Sequence, residues 1–420
     1  MSKEQSARNR LRVLTAVLIA FMIAFTIGIA SLASDGEQRT NAVKLSGMTQ
    51  WIGAWEASQQ PPRPGGISDR GFHNETVRMM IHPHLAGEAL RIRLSNQYGE
   101  KPLTLGEVHV AIAGDGAETA SGSDRPVTFD GAGSVKIPVG ATIVSDAVSL
   151  PVAVGSDIAV SVYVPGESGP ATWHAVSSAT TYVAEGNQTN GAAFHKKVNA
   201  WFWLDGVDVK VDRPVDGAVV VLGDSITDGV HSTLNANHRW PDFLAERLHA
   251  NGSSMSVLNA GISGNQFLQD TVRHGESALE RLNRDVLTRS GVTDVILLEG
   301  INDIGISHNF HAQEIIFGMK EIIQEAHGHG LNIYIGTLLP FEGARPGYYT
   351  PQGEKTREAL NEWIRTSGAF DGVIDFEKAL RDPEHPLHLL PAYDSGDHLH
   401  PSDAGYKAMA EAVDLSMLQK

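Results

Sequence analysis

Ala218-Val219-Val220-Val221-Leu222-Gly223-Asp224-Ser225-Ile226-Thr227 is the stretch that decides the architecture of the C-terminal half. Residues 218–222 are a short, continuous apolar run, the pattern of a strand buried on both faces. Open α/β sheets bind ligands beyond the carboxyl ends of such strands, and Ser225 stands at that position. Gly223 lets the backbone turn sharply before the serine without a Cβ clash.

Working outward, further strands are expected at 294–298, 332–338 and 372–376, alternating with helices at 241–249, 312–327, 353–366 and 402–418. In the second helix Ile315, Ile316, Met319, Ile322 and Ile323 form an apolar stripe at helical spacing. This alternation predicts a parallel sheet with helices on both faces.

A serine hydroxyl is a poor nucleophile until a base removes its proton, and that base is usually a histidine held by a carboxylate. Asp397-His398-Leu399-His400-Pro401 supplies both groups. His400 is the expected base and Asp397 its orienter. His398 stays open as an alternative, because in an extended segment it points the same way. Pro401-Ser402-Asp403-Ala404 then signals a helix start. Oxyanion donors are expected from the Ser225 N–H, from the Gly261 N–H within Asn259–Asn265 (NAGISGN), and from the Asn302 amide within Gly300-Ile301-Asn302-Asp303.

Taken together, these four fragments resemble the SGNH (GDSL) hydrolase family, whose signature residues map onto Ser225, Gly261, Asn302 and His400, with Asp397 three before the histidine. The resemblance spans about 217–418. Within the family, the G-D-S-I-T-D-G block and the ending H-L-H-P-S-D-A-G-Y are most similar to the arylesterase/acylhydrolase subfamily of multidomain xylan-degrading enzymes. It implies an α/β, flavodoxin-like three-layer parallel sheet and ester hydrolysis through an acyl-enzyme on Ser225, with no cofactor. No G-x-S-x-G occurs, so the α/β-hydrolase nucleophile elbow is not the template.

The 420 residues carry a net charge of −16 and no cysteine. Disulfides, thiolate metal sites, cysteine catalysis and a lipobox are thereby excluded. Lys3, Arg8, Arg10 and Arg12 against Glu4 precede an uncharged stretch, 13–34, and Ser31-Leu32-Ala33 presents small residues for signal peptidase. Residues 1–33 are read as an export signal cleaved after Ala33, or as an uncleaved anchor, which places the body outside the cytoplasm. Residues 34–47 read as a linker. The strongly acidic body argues against nucleic-acid partners.

Residues 48–184 read as an all-β, jelly-roll-like sandwich, with short strands such as 77–82, 89–94, 107–112 and 157–164 between glycine- and aspartate-rich turns. Residues 185–216 are expected to connect it to the catalytic domain, 217–420. Trp201-Phe202-Trp203-Leu204, like Trp51 and Trp55, is read as packing rather than a sugar platform. Asp224 and Asp303 are expected to brace loops, and Asp228-Gly229 to form a turn. His82 and His84 are expected at the surface. His327 and His329 read as a helix C-terminus, and His385 and His388 show no recognised metal spacing, so no metal is expected. Loops 305–311 and 341–353 should border the pocket, with Phe341, Tyr348 and Tyr349 as its specificity wall. The expected partner is an ester, such as an acylated polysaccharide. A lipase or lysophospholipase, or a carbohydrate-binding protein with weak esterase activity, are the alternatives.

Overall fold

The computed structural model describes residues 49–308 and 310–418. The expected signal or anchor and the linker therefore lie outside the described residues. Among the described residues, no helix is long and apolar enough to cross a membrane.

The leading region is antiparallel. The strands of its two larger sheets are β1 (Gln50–Glu56), β2 (Glu75–Ile81), β3 (Ala89–Ser95), β4 (Val108–Ile112), β5 (Arg125–Pro126), β6 (Thr142–Val144), β7 (Ile158–Val164), β8 (Thr181–Glu185), β9 (Lys196–Val198) and β10 (Leu204–Val211). They form a four-stranded sheet, β1-β10-β3-β6, and a six-stranded sheet, β9-β8-β2-β7-β4-β5. Alternation explains β3: Leu90, Ile92 and Leu94 are fully buried, while Arg91 and Arg93 are half-buried on the other face.

One correction concerns 185–216, expected as a connection. Its residues 204–211 form β10, hydrogen-bonded to β1 on one side and β3 on the other. The run LDGVDVKV reads as a loop because Asp205, Gly206 and Asp208 interrupt it. Both carboxylates are paired: Asp205 Oδ1 with Arg289 at 2.9 Å and Asp208 Oδ2 with Arg91 at 2.7 Å. Paired charge is what lets acidic residues sit in a buried strand. The four-stranded sheet lies directly on the following region, where the Gly53 N–H donates to Ser290 O at 2.8 Å.

From 218 onward the strands are parallel: β11 (Ala218–Gly223), β12 (Ser256–Gly261), β13 (Val292–Leu298), β14 (Asn332–Gly336) and β15 (Gly372–Ile374), in the order β12-β11-β13-β14-β15. β12 is a strand that the alternation did not mark, because Asn259 and Gly261 break its apolar run. The chain steps from β11 to one neighbour and then crosses back to the other. Right-handed crossovers then put helices on both faces, and the reversal opens a crevice at the carboxyl edge. The helices are α1 (Ser225–Asp228), α2 (Trp240–Ala250), α3 (Ala278–Leu282), α4 (Ala312–Gly328), α5 (Pro351–Thr366), α6 (Phe376–Leu380) and α7 (Asp403–Ala412). Helix α2 packs on α7, and α4 on α5. The last expected strand stops at Ile374 because Asp375 caps α6 through the Lys378 N–H. Residues 49–418 belong to one compact unit.

Candidate active site

Ser225 is the first residue of α1, separated from the end of β11 by Asp224 alone. Asp224 caps this helix, its side chain accepting from the Ile226 N–H at 2.9 Å. Burial pushes the Asp224 carboxyl up to about 7, against the Ile226 hydrogen bond. Gly223 is obligatory, since a Cβ there would overlap the Thr227 hydroxyl.

His400, in the loop before α7, donates from Nδ1 to Asp397 Oδ2 at 2.6 Å. Its Nε2 lies 2.8 Å from Ser225 Oγ. A carboxylate only accepts, so the proton sits on Nδ1 and Nε2 is left as the acceptor for the serine O–H. That is the tautomer a general base needs. Asp397 is fixed in turn by the N–H groups of Leu399 and His400, at 3.0 and 2.8 Å from Oδ1. Partial burial opposes ionisation of Asp397. The hydrogen bond and charge of His400, with these N–H groups, outweigh it and hold the carboxyl well below its usual range.

His398 is turned elsewhere. With a left-handed φ of 61°, it pairs through Nδ1 with Asp394 Oδ2 at 2.6 Å. Of the two histidines the sequence left open, the structure brings His400 to the serine. A histidine that the sequence reading missed does reach the triad. His231, six residues after Ser225, points Nε2 at Asp397 Oδ2, 3.2 Å away, and its ring stands 5.6 Å from that of His400. His231, Asp397 and His400 offer ligand atoms within 4.8 Å of one another. An ion there would compete with the hydrogen bonds that join Asp397, His400 and Ser225.

The oxyanion donors need one correction. The Gly261 N–H is engaged by Asn259 Oδ1 at 2.9 Å, and Gly261 is packed against the Thr227–Asp228 backbone. Gly264, three residues on in the same NAGISGN segment, lines the cleft instead and has φ +80°. Its N–H and that of Ser225 have no partner among the described residues. A Cβ at Gly264 would overlap the His274 ring, so only glycine fits. Two glycines in one segment are indistinguishable without the backbone path. The third donor, Asn302, gives one amide hydrogen to Asn265 O at 2.8 Å, while its Oδ1 accepts from the Tyr348 hydroxyl at 2.8 Å. These contacts fix the amide and leave its second hydrogen for the cleft.

The loop carrying Gly264 is tied on several sides. Asp303 accepts from the N–H groups of Phe267 and Leu268 at 2.7 and 2.9 Å, and burial pushes it up to about 6. Asp228 Oδ2 accepts from the Ser263 N–H at 2.8 Å, while its Oδ1 meets His174 Nε2 at 2.9 Å. Asp228 thus pins the loop to the leading β region, beyond making a turn. Arg281, fully buried, donates to Gly223 O, Ala260 O and Asn265 Oδ1 at 2.9, 2.7 and 2.9 Å. Its place inside a helix with no motif gave no signal in the sequence.

The cleft has a volume of about 400 Å³. Besides Ser225, Gly264, Asn302 and His400 it is lined by Arg273, His274, Ile306, Arg345, Tyr348 and Leu399. The loops 305–311 and 341–353 therefore do border it. Of the expected wall, Tyr348 reaches the cleft. Phe341 is fully buried behind Tyr348 and Tyr349, its ring 6.0 and 5.1 Å from theirs, and neither Phe341 nor Tyr349 lines the cavity. Tyr348→Phe is expected to lower kcat about tenfold with little change in KM, because Asn302 loses its anchor only where charge develops. Steady-state kinetics on one ester checks this.

Elsewhere, Trp201 and Trp203 are buried, and Trp201 stacks edge-on with Trp55 at 4.9 Å. Packing is thus what Trp55, Trp201 and Trp203 do. His84, expected at the surface, is buried between the two regions, with Nδ1 on Val257 O at 2.6 Å and Nε2 on Asp242 at 3.1 Å. Its neighbour Pro83 hid this, since exposure was inferred from a strand end. His82 is half-buried against Asp157.

No curated protein matches the chain. Solved structures resemble about half of it. A carbohydrate acetylesterase family member from Sinorhizobium meliloti is 18% identical over 49% of this chain and 100% of its own, with a TM-score of 0.40. A lipase/acylhydrolase from Enterococcus faecalis is 21% identical over 47% and 92%, with a TM-score of 0.37. An aryl esterase from M. smegmatis is 17% identical over 47% and 95%, with a TM-score of 0.39. Over residues 221–408, from the strand before Ser225 into the helix after His400, the chain matches the GDSL-like lipase/acylhydrolase family.

Proposed function

We propose that this protein is a serine ester hydrolase that works through an acyl-enzyme on Ser225. The observation that carries this reading is the pair of contacts made by His400, 2.8 Å to Ser225 Oγ and 2.6 Å to Asp397. Ser225 Oγ attacks the ester carbonyl while His400 Nε2 takes its proton, and Asp397 stabilises the imidazolium. The N–H groups of Ser225 and Gly264 and the Asn302 amide hold the oxyanion. His400 then protonates the leaving alcohol. The same histidine takes a proton from water, which attacks the acyl-enzyme and releases the acid.

The substrate we favour is a short acyl group on a carbohydrate or aryl alcohol. A cleft of about 400 Å³ with few apolar walls, Ile306 and Leu399 among them, supports small acyl groups over long chains. Export through residues 1–33, and a jelly-roll-like role for residues 48–184 beside an acylated polysaccharide, complete the reading. Hydrolysis of 4-nitrophenyl esters from acetyl to palmitoyl, by wild type and Ser225→Ala side by side, tests it. Turnover confined to short chains and absent from the variant is expected. A palmitoyl preference would move the reading to lipid esters, and full turnover by Ser225→Ala would sink it.

A further inference from the structure

In a chain of net charge −16, the mouth of the catalytic cleft is positive. Arg273 and Arg345 line it together with Ser225 and His400, and both are exposed. Neither guanidinium has a carboxylate partner among the described residues, and Arg345 rests on the Tyr348 ring at 5.2 Å. Many arginines elsewhere are matched to acids, as Arg239 is to Asp242, Arg289 to Glu56 and Asp205, and Arg357 to Glu354 and Glu377. At the cleft, Arg273 and Arg345 keep their guanidinium donors uncommitted to carboxylates among the described residues.

His274 lies in the cleft wall, with Nδ1 on Ser263 O at 2.7 Å. Burial, against the hydrogen bond to Ser263 O and with the charges of nearby arginines, holds it below its ordinary value. The loop that carries Arg273 and His274 also packs against Pro61 and Tyr98 through Gly275, which brings the β region to the rim. The acidic group that lines the cleft is Asp397, and that carboxylate is committed to His400.

We propose that the ester taken by this cleft carries an anionic group, such as a carboxylate, on its acyl or alcohol half, and that Arg273 and Arg345 bind it. Guanidinium recognises carboxylate through paired N–H donors, and a cleft of one sign concentrates substrates of the other. The inference rests on the serine-esterase reading above. It narrows the substrate class to acidic esters.

Matched probes test it. On the acyl side, mono-4-nitrophenyl glutarate is compared with 4-nitrophenyl pentanoate. On the alcohol side, 4-acetoxybenzoate is compared with its methyl ester. In at least one pair the anionic ester is expected to show kcat/KM about tenfold above its neutral partner, chiefly through KM. The preference should shrink when ionic strength rises from about 0.02 to about 0.5 M, as screening requires. It should fall about tenfold or more in Arg273→Gln/Arg345→Gln and return in part in the double lysine variant. Equal or poorer use of both anionic esters would overturn the proposal. So would a preference that survives the double glutamine substitution. In both cases Ser225-dependent hydrolysis of the neutral esters would leave the esterase reading standing. Failure of the wild type on all four esters would remove both.

Discussion

His400→Ala is expected to lower kcat for a short 4-nitrophenyl ester by about 10⁴–10⁶-fold, leaving only what the oxyanion donors and binding supply. The loss is this large because the two nitrogens of one ring do two jobs. Nε2 takes the Ser225 proton, and Nδ1–H keeps the ring in register with Asp397. Asp397→Asn should cost about 10⁴-fold by favouring the wrong tautomer. His398→Ala gives the contrast. Its ring is held by Asp394, away from the serine, so its kcat should stay within about twofold of wild type, the small effect expected of a surface substitution. Comparable losses in the His398 and His400 variants would show that the geometry has been misassigned. Single-turnover kinetics with an unfolding curve for each variant separates chemistry from stability.

Arg281→Met is the second large effect, and it falls on stability. Arg281 is fully buried and donates to the carbonyls of Gly223 and Ala260, to Asn265 Oδ1 and to Asp285 Oδ2. Removing it leaves three buried acceptors short of a donor and takes one counter-charge from Asp285, which keeps Arg284 and Arg289. The expected cost is about 3–5 kcal/mol, read as a lower urea midpoint at an unchanged slope. Activity should fall as well, because Gly223 O and Asn265 belong to the turns that place Ser225 and Gly264. A loss below about 1 kcal/mol would mean that the neighbouring groups find other partners.

Four of the five parallel strands were legible because they carry short apolar runs, β12 being the exception. Ala218–Leu222 and Asp294–Leu298 read as buried strands, and helix α4 announces itself through its isoleucine stripe. The members of the site that sit on short-range motifs were legible for the same reason. Ser225 follows a strand, and Asp397 lies three residues before His400 on one turn. What stayed hidden depends on contacts that sequence order does not encode. β10 carries aspartates whose arginine partners lie as far away as Arg289. Gly261 and Gly264 differ only in backbone path, and His231 approaches the triad across 166 residues of chain. Arg273 and Arg345, 72 positions apart, meet only once the cleft exists.

The most direct measurement is the mass of the protein after reaction with a 4-nitrophenyl alkylphosphonate, followed by peptide mapping. The account predicts one phosphonyl adduct, located on Ser225, formed with loss of activity and absent from Ser225→Ala. An adduct on another residue, or inactivation that persists in Ser225→Ala, would contradict it.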